Sequence, residues 1–127
     1  MTELAKGGLF GRVDAMYRYL MMRYQLGVVT KAVEGFDGQD RRQLAELAQR
    51  KTQSAGSEVA RSSAEAFSRV RSSNAQMRLH AVAHWLGAAF LETRDSADGD
   101  LQEIHRRVAR VLRQLFEALP RGTRAAA

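Results

Sequence analysis

The sequence predicts an all-α fold, an antiparallel bundle of three to four helices with a long central helix. Three observations carry that expectation. The only proline, Pro120, stands seven residues from the end of the chain, and proline inside a helix costs about 3 kcal/mol. Apolar residues recur at spacings of three and four, and no stretch alternates apolar and polar residues as a half-buried strand does. Acidic punctuation, "GFDGQDRRQ" at 35–43 and "DSADGDLQE" at 95–103, supplies turn residues followed by helix-capping chemistry.

The first helix is expected from Leu9 to Val33. Phe10, Val13, Tyr17, Leu20, Tyr24 and Val28 form one apolar row, while Ala15, Tyr19, Met22, Leu26 and Val29 form a second on another face. Two rows are more than one neighbouring helix covers. Tyr19, Met22, Leu26 and Val29 are therefore the expected oligomer face, with a homodimer favoured.

A second helix is expected over 40–71, with Asp40 as N-cap and Gln43 reaching back to it. If straight it would span about 48 Å. Its apolar row, Leu44, Ala48, Ala55, Val59, Ala66 and Val70, is thin and mostly small, and Gly56 lies within the run. Small residues let helices approach closely but bury little area each.

A third helix over 74–93 either follows or continues the second; Ser73, with Gln76 three residues on, would cap it. Leu79, Val82, Leu86 and Phe90 form its clearest stripe, and His80, His84, Gly87 and Leu91 lie roughly 100° away around the axis. The last helix is expected over 100–119, with Asp100 as cap and Glu103 at the third position. Leu101, Ile104, Val108, Val111, Leu115 and Leu119 make its packing seam, with Leu112 and Phe116 widening it and Arg106, Arg110 and Arg113 opposite. Pro120 and Gly122 end it.

At 127 residues the chain is the size of one domain, expected over 1–127 with residues 1–8 and 121–127 as frayed ends. It contains no cysteine, which excludes disulfides, thiolate metal sites and cysteine nucleophiles and suits a cytoplasmic protein. The opening "MTELAKGGLFGRV" lacks the layout of a secretory signal. Uncharged apolar runs fall short of the ~20 residues a transmembrane helix needs, so no transmembrane segment is expected.

Candidate chemistry is sparse. His80 and His84, four apart, share a helix face and could reach one metal ion, but the residues between them are Ala-Val-Ala, without the glutamate of an H-E-x-x-H site. A hydrogen-bonded structural pair within the bundle is the favoured reading, with no metal or cofactor. The serines, though plentiful, include none in a G-x-S-x-G elbow, so no catalytic residue is assigned.

The net charge of +6, with 17 arginines among 20 basic residues, points to an acidic protein or a nucleic acid as partner. Arg106, Arg107, Arg110 and Arg113 are the residues best spaced to follow a phosphate backbone. The expected function is accordingly a non-catalytic helical interaction protein (an adaptor, regulator or component of a larger assembly) acting through an oligomeric bundle. The alternatives are a small basic DNA- or RNA-binding protein and, third, a metal-dependent sensor using His80 and His84.

Overall fold

The computed structural model describes residues 9–53 and 63–120, which form five α-helices and, among the described residues, no strand. They are α1 (Leu9–Glu34), α2 (Gly38–Gln53), α3 (Ser63–Val70), α4 (Ala75–Thr93) and α5 (Gly99–Phe116). The expected frayed ends, 1–8 and 121–127, lie outside the described residues, as do Ala55, Gly56 and Val59.

The all-helical expectation holds, but the arrangement differs from a bundle of three or four helices around one long helix. The 19-residue α4 is the hub, packed against all four other helices. Its sequence suits that place. Leu79, Val82, Ala83, Trp85, Leu86 and Ala89 leave almost no side for water, and all are buried. A helix apolar all round needs neighbours all round.

Residues 40–71 do not form one helix. Gln43 of α2 hydrogen-bonds Gln76 at the start of α4, and Lys51 lies against Gly87 farther along it, so α2 and α4 run in the same direction. Ser63, opening α3, bonds Glu92 near the far end of α4 at 2.6 Å. Arg69 then shares a cleft with Met77 and His80, so α3 runs back along α4. The small residues expected to line one long helix instead serve two short ones. Ala45 and Ala48 of α2 and Ala66 and Val70 of α3 are all buried.

The α2–α4 crossing is close because Gly87 has no side chain. A Cβ built there would collide with Lys51 Cβ and lie 3.3 Å from its carbonyl carbon. Helix α1 runs antiparallel to α4. Trp85 Nε1 donates to Gln25 Oε1 at 2.8 Å, and the Arg78 guanidinium lies 5.6 Å over the ring of Phe36, just beyond α1.

The helix starts lie one to three residues from their expected places, two of them earlier and one later. Helical bonding in α2 begins with Arg41 N–H donating to the Asp37 carbonyl at 2.6 Å, which leaves Asp40 in the first turn. Asn74, not Ser73, caps α4 by accepting from the Met77 N–H at 2.9 Å. Asp98, not Asp100, caps α5, its carboxylate accepting from the N–H groups of Asp100 and Leu101, both at 3.0 Å. Asp100 still lies in the first turn, where negative charge suits the helix dipole.

Helix α5 packs on α1, α2 and α4 through Leu101, Ile104, Val108, Leu112 and Leu115, all buried. Val111, expected in the seam, is only partly buried, and Leu112 takes the core position. His105 ties α5 to the end of α4. The Thr93 hydroxyl donates to the Ala89 carbonyl at 2.7 Å and so accepts from His105 Nδ1 at 3.0 Å. That assignment makes Nδ1 the protonated nitrogen, which also lies 3.2 Å from the Phe90 carbonyl.

Candidate functional site: the outward face of α1

Helix α1 is apolar on opposite sides, and the bundle covers only one of them. Met22, Leu26, Val29 and Val33 are buried, with Tyr19 packed against them. This corrects the expected oligomer face. Met22, Leu26 and Val29 point into the chain's own core, and Tyr19, partly buried, packs against it, so this row is not the free face of α1. At about 100° per residue, Val13, Met16, Tyr17, Leu20 and Tyr24 fall on the other side of the axis. They stand 52% to 64% exposed.

This row is built of long side chains anchored at one end. The Tyr24 ring meets Phe67 of α3 edge-on, with centroids 5.9 Å apart, and its hydroxyl accepts from Arg71. Arg71 also lies 5.7 Å over the Tyr24 ring. Farther along, Leu20, Arg23, Tyr24, Gly27, Val28 and Lys31 line a shallow groove of about 570 Å³. A Cβ placed on Gly27 would meet nothing within 4 Å. Thus side chains project along the first half of the row, while the second half carries a shallow, open depression over Gly27. Most exposed apolar side chains on monomers are scattered singly, so a contiguous row is a candidate contact surface.

The sequence did contain a signal for which row faces out. Tyr17 and Tyr24, with polar hydroxyls, suit a half-wet surface better than Met22, Leu26 and Val29 do.

The two candidate histidines lie apart from this face, in a cleft of about 200 Å³ between α3 and α4 lined by Glu65, Arg69, Met77, His80 and His84. The expected hydrogen-bonded pair is not formed. His80 is exposed, and His84 Nε2 is buried with no hydrogen-bond partner among the described residues. Burial holds the His84 imidazole below its ordinary pKa. The charges of Lys51 and Arg69 push the same way, against Glu65. The third histidine, His105, is engaged with Thr93 and Phe90. Among the described residues no group of three or more His, Asp or Glu side chains is placed to hold a metal ion.

A second cleft, between α1 and the ends of α3 and α4, contains Arg18, Gln25, Ser63 and Glu92. Burial raises the pKa of Glu92, opposed by the Ser63 hydrogen bond and the charge of Arg18.

Arg106, Arg107, Arg110 and Arg113 are all exposed on α5. Arg106 is held by Glu103, with Nη2 to Oε2 at 2.7 Å. Arg107, Arg110 and Arg113 make no ion pair among the described residues, leaving a strip of free guanidinium groups along one helix. Arg113 also borders a cleft shared with Gln49, Phe90 and Phe116.

Comparison with known proteins assigns no family to this arrangement: no protein-family model, no curated protein and no solved structure matches the chain. Among the described residues, no helix is long and apolar enough to cross a membrane. The functional reading therefore rests on the surfaces themselves.

Proposed function

We propose that the chain is a non-catalytic helical interaction protein, an adaptor or assembly component whose contact surface is the outward face of α1. The observation that carries this reading is the exposed row Val13, Met16, Tyr17, Leu20 and Tyr24, opposite a side of the same helix that is already sealed. Burying such a row on a partner releases about 25 cal/mol per Å² of apolar surface. The cytoplasmic location expected from the cysteine-free composition belongs to the same proposal.

The test is affinity capture from the source cells with the full chain and with Leu20→Glu, which places a charge mid-row without touching the core. Proteins recovered with the unaltered chain and lost with the folded variant support the reading. An identical set from both would contradict it.

A second reading has its own observation. The unpaired Arg107, Arg110 and Arg113, with Arg106 beside them, favour a polyanion, either a DNA or RNA backbone or an acidic protein. Titration of labelled duplex DNA and of RNA at two salt concentrations tests it. Nucleic-acid binding requires affinity that falls steeply with salt and is lost when Arg106, Arg110 and Arg113 become glutamate.

A further inference from the structure

We infer that the partner on the outward face of α1 is a second copy of this chain, paired antiparallel, α1 against α1. The inference rests on the proposed contact surface and names its occupant.

The first argument is shape. Side chains project along one half of the row, Val13 to Leu20, and the other half carries a shallow depression, the groove from Leu20 to Lys31 with Gly27 open in its floor. A twofold axis perpendicular to α1, level with residue 22, lays each projecting half onto the other's depression. Leu20 then faces the partner's Tyr24, and on the shared flanks Met16 faces the partner's Gly27 and Tyr17 the partner's Val28. The long, flexible Met16, 61% exposed, thus meets the groove's position without a side chain. A parallel pair would set Tyr17 against the partner's Tyr17 and leave Gly27 opposite Gly27, with the groove unfilled. A surface that complements itself under a twofold is the hallmark of an isologous dimer.

The second argument is area. Five side chains at least half exposed, with Met21 at 38% beside them, offer on the order of 600 Å² per copy, against ~800 Å² per partner in a stable interface. The charged side chains flanking the row, Arg12, Arg23, Lys31 and Glu34, are all exposed and would form the rim.

The third argument is charge. Antiparallel pairing brings the same flank of each helix together. Arg12 and Glu34, both exposed on one flank near opposite ends of α1, then lie within about one helical turn of each other across the interface. Lys31 comes within about 1.5 Å, along the axis, of level with the partner's Asp14. One contact opposes the pairing. Arg23 lies on the same flank near the axis, about 3 Å along the helix from level with the partner's Arg23. Its removal should therefore tighten the dimer.

Because the chain has no cysteine, single cysteines test the geometry directly. Tyr17→Cys and Gly27→Cys are purified separately, mixed, and treated with a short bis-maleimide. Val13→Cys with Lys31→Cys repeats the test at the rim, where the substitutions disturb the apolar row least. The expected result is cross-linking in both mixtures and little within Tyr17→Cys or Val13→Cys alone. In the antiparallel pair the two copies of residue 17 stand about 15 Å apart along the axis, and those of residue 13 about 27 Å. Leu20→Glu should weaken self-association about a hundredfold, and Arg23→Gln should strengthen it several-fold. Self-cross-linking of Tyr17→Cys would show a parallel pair and overturn the inference. So would a dimer unaffected by Leu20→Glu, which would place the interface elsewhere. A chain that stays monomeric with no cross-links also overturns it. Loss of captured partners with Leu20→Glu would, in that case, leave the interaction reading standing with a different occupant.

Discussion

The indole N–H of Trp85, fully buried on the hub helix, has its partner 60 residues away in the side-chain carbonyl of Gln25, at 2.8 Å. The bond joins α4 to the inner side of α1, the helix whose outer side is exposed. It holds α1 by a directional contact, so the outward row is presented on a fixed element.

Gln25→Leu should cost about 1–3 kcal/mol, because the buried indole donor is then left without an acceptor. Urea unfolding followed by the fluorescence of the chain's only tryptophan measures it. Trp85→Phe in the same background should cost less than in the unaltered chain, since the donor is already unpaired.

Gly87→Ala should destabilise the fold by about 1–3 kcal/mol through overpacking at the α2–α4 crossing, although alanine is by itself the better helix former. Lys51→Ala should not restore stability, because the group in the way is the Lys51 Cβ and backbone. Lys51→Gly should restore part of it. Thermal melts of the unaltered chain and these three variants separate the outcomes.

Two titrations should shift stability in opposite directions as the pH falls. The folded state holds the His84 pKa below its ordinary 6.5. The unfolded chain therefore takes up the proton first, and the stability owed to the neutral imidazole is lost as pH falls from about 6.5 toward the folded value. The folded state raises the Glu92 pKa above its ordinary 4.5. Its buried charge thus weakens the fold at neutral pH, a cost relieved as pH falls through the raised value. Melting temperatures between pH 4.5 and 8 should show His84→Gln removing the loss below 6.5. Glu92→Gln should raise the melting temperature at pH 7.

The two sides of α5 should separate cleanly. Leu115→Ala should cost about 2–5 kcal/mol, since the side chain is buried and leaves a cavity, while the partly buried Val111 should cost less on the same change. Reversing Arg106, Arg110 and Arg113 to glutamate changes the charge by six units, from +6 to 0. The only described bond this breaks is the exposed Arg106–Glu103 pair, a kind worth about 0–1 kcal/mol. Circular dichroism should show the fold intact.

The helical class, the span of α4 and the core side of α5 were legible because periodicity is a local property. Where the reading went astray, the deciding information was not local. Asp98 and Asp100 carry the same capping chemistry two residues apart, and the cap belongs to the one whose chain enters the helix at the right angle. Leu112 and Val111 are about 100° apart around α5, and the placement of its neighbouring helices decides which of them is buried. The small-residue spacing of residues 40–71 is the same whether the chain continues or turns back, since both α2 and α3 lay alanines on α4. The two rows of α1 were both visible, but only the Gln25–Trp85 bond and the burial of Leu26 and Val29 decide which row the bundle keeps.

The most direct measurement is light scattering after gel filtration, across micromolar concentrations, on the unaltered chain and Leu20→Glu. The account predicts twice the 14.2 kDa chain mass for the first and 14.2 kDa for the second, with identical circular dichroism. A 14.2 kDa species from the unaltered chain at every concentration, or a dimer that survives Leu20→Glu, would contradict it.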